Sequence, residues 1–213
     1  LTASGGPFFK KSLKELEDVS VEDALAHPTW KMGSKITIDS ATMFNKAFEI
    51  IEAYYLFNVK AEDIEVLIHP QSIIHSLVEF KDGSMKAQLG VSDMKIAIAY
   101  ALSYPNRLNN IASSLKLDEV CKLEFYKADL DRFKPLSLAY KALKEKGTYP
   151  CVLNAANEEA VNLFLNHKIK FNEIYDLVEK TLLAHENNLD VTLESIKQAD
   201  SWARDFVRRT YLW

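Results

Sequence analysis

The sequence predicts an α+β fold: a mostly antiparallel sheet with helices, followed by a small C-terminal four-helix bundle. Two features of its first half point to the sheet. IEVLIHP (64–70) and IIHSLVEF (73–80) are apolar runs of strand length, and Asp82-Gly83 stands between the second run and SMKAQLG, a strong hairpin signal. The second half points to the bundle, because from Pro135 onward apolar residues recur at helical spacing in four segments joined by short connections. Residues 105–133 are irregular and charged and read as a linker. The expected division is therefore 1–104, 105–133 and 134–213.

Taken in order, LTASGGPF opens like the end of a strand running into a glycine loop, without a Met, and is expected to continue from an upstream part. Residues 4–34 form a long loop with two short helical pieces, SLKELEDV and SVEDALAHP. In the latter, Ser20 with Asp23 three residues on is a variant of the capping box, and Pro28 follows its end. A loop this long inside a compact domain is usually functional or mobile. A single helix is expected over 41–57, then the buried strand, the hairpin, and a helix over 93–103 ended by Pro105. Pro135 suits the first turn of a bundle helix running to Lys146, with Gly147 in its C′ position. CVLNAANEEAVNLFLNH is the second bundle helix. The third starts from Asn172 and the fourth from Thr192 as N-cap residues.

A chain of 213 residues is long enough to bury a substantial core. Its 48% hydrophobic and 26% charged residues are ordinary for a globular protein, and the net charge of -4 gives no reason to expect a nucleic-acid partner. No run approaches the roughly 18 apolar residues of a membrane span, so no membrane partner is expected. Two cysteines, Cys121 and Cys151, make no disulfide framework and favour a reduced compartment.

The chemistry concentrates in IDSATMFNKAFEI, 38–50. On one continuous helix, Thr42, Asn45, Lys46 and Glu49 fall within an arc of about 100°. Met43, Phe44, Ala47, Phe48, Ile51 and Tyr54 make the opposite, core-facing side. Ser40, Asn45 and Lys46 are a phosphate-binding set, since a phosphate needs several donors and positive charge, and a helix N-terminus adds free N–H groups. Glu49 is wrong for phosphate and right for a hard divalent cation such as Mg²⁺ or Mn²⁺. An N-capped surface helix with a Lys46–Glu49 ion pair accounts for the same residues. Ser4 with two following glycines offers a hydroxyl and close backbone approach, which also suits a plain turn. In HPTWKMG (27–33), His27 could touch an anion and Trp30 exclude water as the loop closes, or Trp30 could merely anchor the loop. His69 and Gln71 read as structural, and Asn154 and Asn157 as helix packing or capping.

Five strings occur together and in order: LTASGGPF, HPTWKMGSKITIDSATMFNKAFEIIEA, IEVLIHPQSIIHSLVEFKDGSMKAQLG, SDMKIAIAYALSYP and LNAANEEAV. In this combination the chain closely resembles the 1-deoxy-D-xylulose 5-phosphate reductoisomerase family. The resemblance implies an NADPH- and divalent-metal-dependent conversion of a phosphosugar to 2-C-methyl-D-erythritol 4-phosphate in non-mevalonate isoprenoid synthesis. It also implies a homodimer formed through the catalytic-domain sheet, in a bacterial cytoplasm or a plastid-type organelle. By position, Ser4, Ser40, Asn45 and Lys46 would hold the phosphate with His27. Trp30 and Met32 would cover substrate or nicotinamide, Gly33 would lie against NADPH, and Glu49 would bind metal and substrate. The family's dinucleotide fingerprint, its Asp-Ser-Glu carboxylates and the lysine preceding them have no counterpart in these 213 residues, so this chain alone is expected to be inactive. A non-redox phosphosugar-binding or isomerase module, or a structural dimerisation piece, are the other readings.

Overall fold

A computed structural model describes residues 1–12, 14–27 and 32–211. They form an α+β structure that separates into two compact units. Residues 1–4 and 66–127 make the first unit, and residues 5–65 and 128–213 the second.

The first unit holds all the strands among the described residues. β1 (Thr2–Ala3) pairs in parallel with β2 (Leu67–Ile68), which pairs antiparallel with β5 (Tyr126–Lys127). β3 (Ile74–Glu79) and β4 (Met85–Leu89) form the expected antiparallel hairpin. Its turn is closed by Gly83 at φ 81° and by Asp82, whose carboxylate accepts from the Ser84 N–H at 2.9 Å. α4 (Met94–Ser103) starts at Asp93, whose side chain accepts from the Lys95 N–H. The HPQS strand end is fixed by His69, which is fully buried. Its Nδ1 bonds the Glu124 carbonyl at 2.8 Å, its Nε2 accepts from the Ile73 N–H, and its ring stacks on Phe125. Gln71 and Glu124 bond each other twice.

The second unit is helical. α1 (Val21–Leu25) begins with the Ser20–Asp23 capping box, and α2 (Ser34–Thr42) is followed by α3 (Phe44–Phe57). The SLKELEDV segment contributes only a short 3₁₀ turn, Lys14–Leu16. The bundle helices are α5 (Lys134–Glu145), α6 (Tyr149–Leu165), α7 (Glu173–Ala184) and α8 (Leu193–Thr210). Thr192 caps α8 through a box with Ser195. Asn172 precedes α7, with no side-chain cap bond. Gly147 has φ +58°, and a Cβ there would meet the Asn188 carbonyl, so the turn requires glycine. α6 is the centre of the core. Val152, Leu153, Ala155, Ala156, Ala160 and Val161 are all buried, and the alanines let α7 and α8 approach closely.

Two sequence expectations change here. The single helix over 41–57 is instead two, broken at Met43, which takes the left-handed conformation (φ 71°). No glycine or proline marks the break. Met43 is held there by burial of its side chain to 2% exposure, a tertiary effect with no local signal. The compact units also cut across the sequential division at 104 and 133. α3 buries Phe44, Ala47, Ile50 and Ala53, and it packs against α5 of the bundle rather than belonging with the strands. Tyr140 of α5 ties the same unit together by donating to the Ile64 carbonyl at 2.7 Å. Residues 105–127 lie with the strands, through β5.

Candidate functional site

The break at Met43 puts the polar residues of 38–50 on two helices. Ser40 and Thr42 are on the last turn of α2, while Asn45, Lys46 and Glu49 are on the first turns of α3. The arc computed for one continuous helix therefore does not hold for Thr42, whose hydroxyl is turned back onto the Ile38 carbonyl at 2.9 Å. The buried side of α3 also differs from the expected one. Ile50 and Ala53 are buried, whereas Phe48, Ile51 and Tyr54 are only half-buried. Met43 gives α3 no side-chain cap, and the Phe44 N–H makes only a long bond of 3.4 Å to the Thr42 hydroxyl, which leaves the positive end of the α3 dipole and other first-turn N–H groups without a side-chain cap.

Lys46 is 7% exposed, unusual for an ammonium, and it is satisfied by Glu49, Nζ to Oε2 at 2.5 Å. Asn45 donates to the other oxygen, Nδ2 to Oε1 at 2.8 Å. The two phosphate-type donors and the carboxylate thus share one hydrogen-bonded cluster, and the ion pair read from the sequence is present. An incoming phosphate would compete with Glu49 for both donors. His27 comes from the segment after α1, and its Nε2 lies 3.1 Å from the Ser40 Oγ. Burial pushes the His27 imidazole below its ordinary value, so the neutral ring is favoured near pH 7.

The glycine loop meets this region directly. Gly6 has φ +64°, and a Cβ on it would stand 2.8 Å from the Ser40 carbonyl and 2.9 Å from the Ala41 Cα. The close approach read from the sequence is thus made to the backbone of α2. Phe8 anchors the loop by packing edge-on to Phe171, and its carbonyl accepts from Arg132 at 2.7 Å. Ser4 belongs to the first unit, just after β1. Met32 is half-buried. Gly33 is exposed and begins α2, with nothing within 4 Å of where its Cβ would be. Trp30 lies outside the described residues.

Sequence reasoning missed Asp39. Its side chain is buried, and it pairs with Lys35 at 2.5 Å and accepts from the Asn157 amide of α6 at 2.8 Å. The Lys35–Asp39 spacing of four would have shown it, but KITIDS alternates like a strand and α2 was not expected. Asn157, expected to pack or cap, makes this interhelix bond instead.

Among the described residues no three His, Cys, Asp or Glu side chains lie where they could hold a metal ion. Glu49 by itself supplies only part of the shell of about six oxygen ligands that a divalent cation takes. Nor is any described helix long and apolar enough to cross a membrane.

Two family models match this chain. One, the DXP reductoisomerase C-terminal domain, covers residues 89–206. The other, the 1-deoxy-D-xylulose 5-phosphate reductoisomerase C-terminal domain, covers residues 1–57. The chain is 56% identical over 212 residues to the 1-deoxy-D-xylulose 5-phosphate reductoisomerase of Chlorobium chlorochromatii, with 100% of the chain and 55% of that protein covered. It is 54% identical to the same enzyme of Chlorobaculum tepidum, covering 98% of the chain and 55% of that protein. Among solved structures it superposes on the Zymomonas mobilis enzyme in complex with NADPH, with TM-score 0.90 and 43% identity. That match covers 99% of the chain and 54% of the solved one. A DOX-P reductoisomerase in complex with NADPH, fosmidomycin and magnesium matches with TM-score 0.90 and 42% identity, covering 100% of the chain and 54% of the solved one. The chain therefore spans about half the length of the relatives it matches.

Proposed function

This chain belongs to the 1-deoxy-D-xylulose 5-phosphate reductoisomerase family. From that premise we propose that it forms the phosphate-holding part of a site that rearranges 1-deoxy-D-xylulose 5-phosphate and reduces the product to 2-C-methyl-D-erythritol 4-phosphate. The observation that carries this reading is the juxtaposition of His27 with Ser40 beside the uncapped start of α3, where Asn45 and Lys46 present their donors. The substrate phosphate takes the Ser40 hydroxyl, the Asn45 amide and the Lys46 ammonium, with His27 completing the set. Held at the phosphate, the sugar brings its reacting end into place, so remote binding energy serves the chemical step. Trp30 and Met32 cover the substrate and exclude water.

Phosphate binding draws Asn45 and Lys46 away from Glu49 and leaves its carboxylate as one oxygen ligand for Mg²⁺ or Mn²⁺. The other ligands come from outside these residues. NADPH, when bound, supplies the hydride. Gly33, whose open Cβ position admits a ligand against the backbone, is the contact assigned to it.

A homodimer through the first unit is part of the reading. The hairpin and α4 expose Val78, Phe80, Met85, Met94, Ile98 and Leu102 together, more apolar surface than a lone unit normally leaves to water. A cytoplasmic setting is proposed from the bacterial relatives and from the free thiols of Cys121 and Cys151. The test is NADPH oxidation on adding the phosphosugar. The full-length protein turns over with Mg²⁺ or Mn²⁺, and Glu49→Gln loses that turnover far more than it loses fold stability. Residues 1–213 alone give none. Unchanged kinetics in Glu49→Gln would remove the metal role, and normal rates from the isolated chain would remove the shared-site reading.

A further inference from the structure

Asp39 is 1% exposed and immediately precedes Ser40. A carboxylate withdrawn from water is costly unless charge and hydrogen bonds compensate it. Lys35, one turn back on α2, supplies the charge, and the Asn157 amide of α6 donates to Oδ1 at 2.8 Å. Burial nonetheless pushes the Asp39 carboxyl above its usual range, with Lys35 and Asn157 opposing and Glu158 adding slightly. Asn157 is fully buried, and its Oδ1 has no hydrogen-bond partner among the described residues. An apolar pair of similar volume at positions 39 and 157 would leave no polar atom unsatisfied there. The arrangement is therefore poor as a source of stability, and its use must lie in direction. A buried carboxylate–amide bond fixes one register of α2 on α6, where apolar contacts allow sliding.

What that register sets is Ser40. α2 has only nine residues, and the left-handed Met43 follows it, so α3 does not dictate where Ser40 points. α6 is itself braced from the far side. Arg204 of α8 donates to Glu158 at 2.6 Å, and Arg208 donates to both oxygens of Glu159 at 2.9 Å.

We propose that Asp39 and Asn157 are positioning residues, through which the helical bundle holds α2 so that Ser40, bonded to His27, presents its hydroxyl to the substrate phosphate. This rests on the phosphate reading of Ser40. The bundle is then a rigid support for the site.

The test is steady-state kinetics of the full-length protein with the phosphosugar and NADPH. Asn157→Leu is expected to raise KM for the phosphosugar about tenfold, the scale of one weakened hydrogen bond to the phosphate. kcat and KM for NADPH should stay within about twofold. The exchange D39N/N157D restores the bond with donor and acceptor swapped, and should recover most of that KM. If N157L does not fold, Asn157→Ser, which stays polar but cannot reach Asp39, is read in the same way. A lowered Tm with unchanged KM, or a raised KM that the exchange leaves uncorrected, overturns the positioning role. Ser40→Ala separates the two levels. If S40A raises KM and the Asn157 variants do not, only the positioning role falls. If S40A leaves KM unchanged, the phosphate reading beneath it falls.

Discussion

Gly6→Ala is the sharpest perturbation of the contact between the glycine loop and α2. At φ +64° an alanine pays for the left-handed backbone, roughly 1–2 kcal/mol. Its methyl would also stand 2.8 Å from the Ser40 carbonyl and 2.9 Å from the Ala41 Cα. Neither atom is the end of a flexible side chain, so backbone must shift, at about 1–3 kcal/mol for overpacking. Together these give a loss of about 2–5 kcal/mol. Gly83→Ala is the control. Its φ is +81°, but nothing lies within 4 Å of the added methyl, so it should cost only the backbone part. Chemical unfolding of both variants measures the difference, which is the steric term alone. G6A should be the worse of the two by about 1 kcal/mol or more, and its phosphosugar KM should rise as Ser40 is displaced. If G6A is no more damaging than G83A, the loop does not press on α2 as described.

Other outcomes follow from the same contacts. Phe44→Ala empties a fully buried site at the start of α3 and should cost about 3–5 kcal/mol in unfolding experiments. Ser20→Ala removes the α1 capping box and should cost about 1 kcal/mol, read by the same unfolding curves. Because burial depresses the His27 pKa below 6.5, its neutral form belongs to the native state. The associated stability is present above that value and is lost as pH falls through the depressed one. His27→Gln should therefore flatten the acid side of the stability–pH profile, and an unaltered profile would contradict the burial argument. Leu102→Asp changes a side chain that is 84% exposed within the proposed dimer face, so sedimentation should show a monomer whose melting curve is little changed.

The sequence carried the hairpin, the bundle and the caps at Ser20 and Thr192, because each rests on local chemistry: turn residues, helical periodicity and side-chain oxygens placed near free N–H groups. Met43 carried no such signal. Its left-handed backbone depends on what its side chain packs against, and the break it makes moved Ser40 and Thr42 off the helix that bears Asn45, Lys46 and Glu49. The pairing of Lys46 with Glu49 was legible from spacing. The tie between Asp39 and Asn157 was not, since 118 residues separate them and neither has a local reason to be buried. The compact units were hidden for a similar reason: α3 chose the bundle helix α5 as its packing partner, which no pattern within residues 41–57 could indicate.

The central claim is that Lys46, with Ser40 and Asn45, holds the phosphate of the substrate. Calorimetric titration of 1-deoxy-D-xylulose 5-phosphate into the full-length protein and its Lys46→Gln variant tests it most directly. Removing a buried, charge-assisted partner of an anion costs about 2–5 kcal/mol, so Kd should weaken by about thirtyfold or more, with NADPH affinity unchanged. Equal phosphosugar affinities in the two proteins would contradict it.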